Sequence, residues 1–333
     1  MATVLRRLVS GVLWLGAAVA ALWVPFWWWA PIAPPEAFAL LALTPVAAAL
    51  ALAVGVVALV LRRRAAGAVA LVAGLVLAAV VVPRAVDDRD PGGAPGPGRA
   101  PVVVATVNLQ FGRGDPAAVT ALVREQRVDV LGLQEVTPEA EQRLVAAGLR
   151  AELPFTESAA RPGAGGTAIV SRHPLVPSGL TLRPGEFSQV TARVLAPAGP
   201  VDVVVAHPEA PVFRGDPAGW AREIADLPAP APAGGTARLV LGDLNATLDH
   251  RPLRRLLADG TWRDAGASLG AGLRGTWPTD GVLPPFAAID HVLVSGPATP
   301  TGLVIRRLPT TDHAGLVVTL LVRDGRAGVT PGA

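Results

Sequence analysis

Three apolar runs in the first quarter of the chain, residues 8–29, 38–61 and 65–82, contain no charged residue and limit what the rest can be. Each comes close to the ~20 residues a helix needs to cross a hydrocarbon core ~30 Å thick, so three transmembrane helices are expected. A cleaved signal peptide fits the first run poorly. It is too long and ends in Trp27-Trp28-Trp29 rather than in small residues, and those tryptophans suit an interfacial belt. Arg6 and Arg7 precede the first run and Arg62, Arg63 and Arg64 separate the second from the third, whereas segment 30–37 has no arginine. The positive-inside bias then predicts a cytoplasmic N-terminus and, after an odd number of spans, an extracytoplasmic remainder. Residues 1–83 read as a multi-pass membrane anchor, and 84–100, rich in Asp, Pro and Gly, as a flexible linker.

Composition removes several classes of chemistry. With no cysteine, the chain has no disulfide framework, no thiolate nucleophile and no Cys-containing zinc site. The basic residues are all arginine, and 29 of them face 26 acidic residues, for a net charge of +3. So small an excess supplies no strong field for a nucleic-acid backbone.

From residue 101 the pattern changes to alternating strands and helices over about 225 residues, enough for one sizeable core. Residues 102–107 read as a buried strand tipped by Asn108. A helix over 115–126 follows, with Asp115 and Pro116 at its start. Residues 128–133 form the next expected strand, ending at Gln134-Glu135, and Thr137-Pro138 opens another helix. A hairpin is expected over 190–206 and delivers His207. The run 238–242 is a short apolar strand closing at a glycine, with Asp243 and Asn245 at its mouth. If the strand continues, the two share a face; if it breaks at Gly242, both can still turn into one cleft. Asp290 opens a later strand, and Asp312 and His313 precede the last one, 316–322. An aspartate bonded to an imidazole fixes the tautomer and favours the charged ring, which pairs Asp290 with His313. Glu135 and Asp312 offer hard oxygens that suit Mg²⁺, or alternatively Mn²⁺, over Zn²⁺. His173, beside Pro174, is expected at the surface. His250 is expected to cap or pack the helix at 251–258.

Taken in order, N-L-Q at 108–110, Q-E at 134–135, H-P at 207–208, G-D-L-N at 242–245, I-D-H-V at 289–292 and T-D-H at 311–313 resemble the endonuclease/exonuclease/phosphatase superfamily of DNase I-like phosphodiesterases. The resemblance spans residues 101–325 and leaves 326–333 as a tail. It implies a four-layer α/β sandwich of two mixed sheets flanked by helices, here preceded by the three membrane helices. It further implies Glu135 as the main metal ligand with Asn108 and Asp312 nearby, Asp243 on the attacking water, Asn245 and His207 on the phosphate, and the Asp290–His313 pair stabilising the transition state. Three spans followed by such a domain resemble the VanJ-like proteins, which implies a lipid-linked substrate such as undecaprenyl diphosphate. A phospholipase C or sphingomyelinase-like activity, an extracellular nuclease and an inactive domain that binds a cell-wall precursor are the competing expectations.

Overall fold

The computed structural model of the protein describes residues 2–29, 39–88, 99–181, 187–211 and 215–323. Segment 30–37, most of the expected linker (89–98) and the expected tail lie outside the described residues. The apolar N-terminal runs form helices α1 (Ala2–Trp29), α2 (Thr44–Val60) and α3 (Arg64–Val81). Leu13 and Ala17 pack on Ala58, Ala66 and Ala70, while Trp27 packs on Leu41, Ala48 and Leu77. Helices α1 and α3 therefore run in the same direction and α2 returns between them. Small residues fill the interior of this bundle, and at Gly55 and Gly74 any side chain would collide with the backbone nitrogens of Leu71 and Leu52, each 2.9 Å away. The large apolar side chains, among them Leu8, Leu15, Leu22, Leu50 and Leu75, point outward and are exposed. A bundle whose interior is mostly alanine and glycine, with leucine and valine over much of its outer face, is suited to lipid, where close backbone approach replaces hydrophobic collapse. Segments Thr3–Trp29 and Arg64–Ala85 are long and apolar enough to cross a membrane; α2, with 17 residues, is shorter.

A single 3₁₀ turn, Val82–Ala85, carries the chain out of α3 and straight into contact with the second half of the protein. Asp249, buried, accepts from Arg84 Nη1 and Nη2 and from Trp27 Nε1, all at 2.9 Å. Arg254 lies over the Trp27 ring, 3.7 Å from its centroid, and donates to the Trp27 carbonyl at 2.6 Å. Gly272 N–H bonds the Arg84 carbonyl at 2.9 Å, and Asp87 bridges to Leu269. The domain is thus seated on the Trp27 end of the bundle, away from the end where Arg63 bonds the Arg6 carbonyl.

That domain is built from two six-stranded mixed sheets. The first is ordered β11 (Ala298–Arg307), β12 (Ala314–Arg323), β1 (Arg99–Asn108), β2 (Val130–Gln134), β4 (Thr167–Ser171), β3 (Phe155–Ala159). The second is ordered β5 (Leu175–Thr181), β6 (Gln189–Ala196), β7 (Gly199–Val205), β8 (Ala237–Asp243), β10 (Asp290–Ser295), β9 (Arg263–Asp264). Among the described residues only β1–β2 and β7–β8 pair in parallel. Between the sheets, Val102, Val104 and Val318 meet Val203, Val205, Leu239 and Leu241. Helices α4 (Pro116–Gln126), α5 (Pro138–Ala146) and α6 (Leu149–Glu152) cover the outside of the first sheet through Val119, Leu122, Val123 and Leu144. Helices α7 (Pro217–Ala225), α8 (Arg251–Leu257) and α9 (Ala265–Ser268) lie on the side of the second, where Trp220, Ile224 and Leu253 pack on Val204, Val240 and Leu293. The expected four layers are present. Asp115 and Thr137 cap α4 and α5 by accepting from backbone N–H groups, each with proline in the first turn, as the sequence predicts.

Candidate active site

Strand alternation explains most of the site. Val102 and Val104 face the opposite sheet, so Asn108 at the tip of β1 does too; Leu239 and Leu241 put Asp243 there from β8, and Val292 and Val294 put Asp290 there from β10. His207 continues the inward face of Val203 and Val205. The polar ends thus meet in the crevice between the sheets, where Asn108 Nδ2 bridges Glu135 Oε1 (3.1 Å) and Asp243 Oδ2 (3.0 Å). Glu135 breaks the pattern. Alternation from Leu131 and Leu133 would send it toward the helices, but its φ of 56° is left-handed, and its Oε2 accepts from Phe111 N–H at 2.6 Å. Gln110, Phe111 and Asn245 are also left-handed without being glycine, at φ 47°, 56° and 49°. Such a concentration of costly backbone at one place is held by the surrounding bonds and marks sites of function. Gly242 has a different reason: a side chain there would meet the Ala206 carbonyl oxygen at 1.8 Å.

His313, buried, sets Nδ1 3.0 Å from Asp290 Oδ2 and Nε2 3.6 Å from Asp243 Oδ2. Burial opposes charge on this ring, but Asp290 and Asp243 outweigh it and raise its pKa to about 10, so the ring is an imidazolium at neutral pH. Burial likewise works to raise Asp290, yet the His313 charge and hydrogen bond hold it below the usual carboxylate range. Asp243 is pushed up by burial against the pull of His313, and Glu135 is pushed up by burial against its bonds from Asn108 and Phe111. Burial lowers His207, whose Nε2 lies 3.7 Å from Asp243 and 3.9 Å from Glu135. The crevice therefore holds a charged histidine, a neutral histidine and two carboxylates with raised proton affinity, a combination suited to acid–base work.

All eight residues singled out in the sequence join this network. Asp312 enters through Trp277 Nε1, which donates to its Oδ2 at 3.0 Å, and its Oδ1 is 3.9 Å from His313 Nε2. Asn245 bonds Asp243 Oδ1 through its backbone N–H, but its side-chain amide donates to the Pro208 carbonyl at 3.0 Å, tying its loop to that of His207. His173 stands apart, 3.4 Å from Asp129, and His250 sits at the start of α8 with Nδ1 accepting from Thr247 N–H at 2.8 Å. Sequence reasoning assigned no part to His291 or Trp277. His291 is buried on the other face of β10 and bonds Asp264 Oδ2 and the Ala246 carbonyl, both at 2.7 Å, which fixes the loop carrying Asn245. Its adjacency to Asp290 on a strand was the available signal, since neighbours there face opposite ways.

The model of the endonuclease/exonuclease/phosphatase family matches residues 105–313, a span that contains every member of the network. The chain belongs to this family. By sequence it matches no curated protein. By structure it is similar to D. rerio TDP2 carrying 14 humanising mutations, at TM-score 0.52 and 14% identity over 66% of this chain and 98% of the other. It is also similar to D. rerio TDP2 complexed with a single-strand DNA product (TM-score 0.51, 15% identity, 66% and 99% covered) and to C. elegans TDP2 (0.50, 17%, 67% and 75%). At these identities the likeness concerns the fold. Members of the family are metal-dependent hydrolases, and the residues present fit a divalent cation. Asp312 Oδ1 is a buried acceptor with no hydrogen-bond partner, in a crevice lined with further carboxylates. Asp243, Asp290 and His313 also bring ligand atoms within 4.8 Å of one another. Asp290 has both oxygens on the charged His313 ring, at 3.0 and 3.3 Å, and Glu135 has its two on Asn108 Nδ2 and Phe111 N–H, so Asp312 Oδ1 is the acceptor among these carboxylates without a hydrogen bond.

Proposed function

We propose that the protein is a membrane-anchored, metal-dependent phosphoesterase that hydrolyses a lipid-linked phosphate or diphosphate of the undecaprenyl diphosphate kind at the extracytoplasmic surface. One observation carries this reading: Asp249 fixes the catalytic domain to the Trp27 end of an apolar bundle, opposite the end that carries Arg6, Arg7 and Arg62 to Arg64, and stands six residues from Asp243. A site seated there works at the bilayer surface and on the side away from the cytoplasm. The family's cation, held by Glu135, Asn108 and Asp312 as Mg²⁺ or Mn²⁺, would neutralise charge on the phosphoryl oxygens. Asp243, with its raised proton affinity, orients the water and takes its proton. The imidazolium of His313 donates from Nε2 to a nonbridging oxygen as charge spreads there, and Asp290 keeps that ring charged and aimed. Neutral His207 adds a second contact to the phosphate. Beside the crevice a cleft of about 720 Å³, lined by Gln110, Arg113, Arg143, Asp280, Arg307 and Thr311, sets three arginines against one aspartate, a net positive wall for a second phosphate.

Hydrolysis by the full chain in detergent, with Mg²⁺ or EDTA added, tests the reading: inorganic phosphate is measured from undecaprenyl diphosphate, phosphocholine from sphingomyelin and cut strands from plasmid DNA. Release is expected from the lipid diphosphate only, dependent on metal, and about 10²–10⁴-fold lower in Asp243→Ala and His313→Ala. Preference for DNA would replace the lipid reading with a nuclease, and activity surviving both substitutions would refute the site.

A further inference from the structure

Residues 277–287 form a hairpin closed by the Trp277–Ala287 bridge and by Phe286 packed edge-on against Trp277, 6.2 Å between ring centroids. Its root is the active site: Trp277 holds Asp312, Thr279 N–H bonds the Asp312 carbonyl, and Thr276 Oγ1 accepts from Asp290 N–H. Its tip is apolar and open to solvent, Val282 completely and Leu283 to 71%. Phe286 and Leu273 are exposed beside it, as is Phe111, whose N–H bonds Glu135 on the other side of the crevice. Among the described residues nothing covers Val282 or Leu283, and exposed apolar residues at one mouth mark a contact surface rather than chance.

The membrane reading of the bundle, on which this inference rests, says what covers them. The strand of chain that leads to the hairpin leaves Gly272, whose N–H is bonded to the Arg84 carbonyl at the end of α3, so the hairpin starts five residues from the point where the chain leaves its span. We infer that the 281–286 tip inserts into the hydrocarbon of the same bilayer, forming a second anchorage that sets the metal crevice against the lipid surface. The crevice then opens where the hydrocarbon chain of a lipid phosphate and its headgroup part company.

Absence of native cysteine allows single labelling. Val282→Cys, Val12→Cys on the lipid-facing side of α1 and Leu195→Cys at the far end of β6 each carry an environment-sensitive fluorophore in the full chain reconstituted into phosphatidylcholine vesicles. Quenching by nitroxide-bearing lipids is expected at 282 and 12 and not at 195. Quenching at 12 without quenching at 282 overturns the inference and leaves the membrane reading intact; failure at both removes the two together. Shielding at 282 that grows with protein concentration and ignores lipid quenchers assigns the tip to a second copy, which also overturns it. Val282→Ser with Leu283→Ser, both on exposed positions, is expected to slow release from vesicle-borne lipid diphosphate about tenfold while changing hydrolysis of a soluble short-chain prenyl diphosphate ester less than about twofold. An equal effect on both substrates, or on neither, goes against the inference.

Discussion

The catalytic crevice is a set of paired charges, and at this scale the pairs set its pH behaviour. His291 is the case removed from the metal-holding residues. Burial disfavours its charge, but its bond to Asp264 wins and raises its pKa above the ordinary 6.5. A group raised in the folded state binds protons that the unfolded chain releases, so its contribution to stability is whole below about pH 6.5 and is lost as pH climbs through the folded value. The denaturation midpoint in detergent is therefore expected to fall as pH rises above neutrality, and to fall less steeply in His291→Gln than in the natural chain. The same variant releases the Ala246 carbonyl, so kcat is expected to drop through a misplaced Asn245 loop, with KM for the soluble ester little changed. Glu135 illustrates what a single backbone torsion decides. Without its left-handed φ its carboxylate would lie on the side of Ala140 and Leu144 of α5 rather than with Asn108.

Two elements carry the site as units. Strand β8 approaches the Ala206 segment so closely at Gly242 that a methyl group has no room, and the parallel β7–β8 pair ends where Ala206 N–H bonds the Leu241 carbonyl. Gly242→Ala is expected to part His207 from Asp243, measured as a lower unfolding midpoint together with loss of metal-dependent phosphate release. The second unit is the clamp between the 3₁₀ turn after α3 and the loop before α8. Removing one partner of a buried ion pair costs about 3–5 kcal/mol, and Asp249→Ala would strand both Arg84 and the Trp27 indole N–H. That variant is expected to keep its activity on a soluble ester and lose it on lipid diphosphate in vesicles, with faster proteolysis between bundle and domain as the structural readout.

For the molecule as a whole, stability and activity should both follow the cation. Mg²⁺ is expected to raise the unfolding midpoint with its logarithm of concentration, and EDTA to reverse the rise, because an ion that binds only the folded chain stabilises it by mass action. An export-dependent reporter fused after Val82 is expected to be active, and activity of a cytosol-dependent reporter at that position would reverse the proposed orientation. Much of this was legible in the residues. Uncharged runs long enough to reach across a bilayer, Asp115-Pro116 and Thr137-Pro138 at helix starts, and polar residues closing short apolar strands are local signals, and period-two alternation alone carries Asn108, Asp243 and Asp290 to one face. The junction was not legible, because Trp27, Arg84 and Asp249 lie up to 222 residues apart and nothing near any of them in sequence names its partner. Nor were the left-handed turn that swings Glu135 inward, the support from His291 or the exposed hairpin beside Asp312. Local propensity and pattern determined the elements and the chemistry at their tips; which tips meet, and what the bundle holds them against, depended on long-range packing of two sheets and on buried charges that find their partners only when the chain is folded.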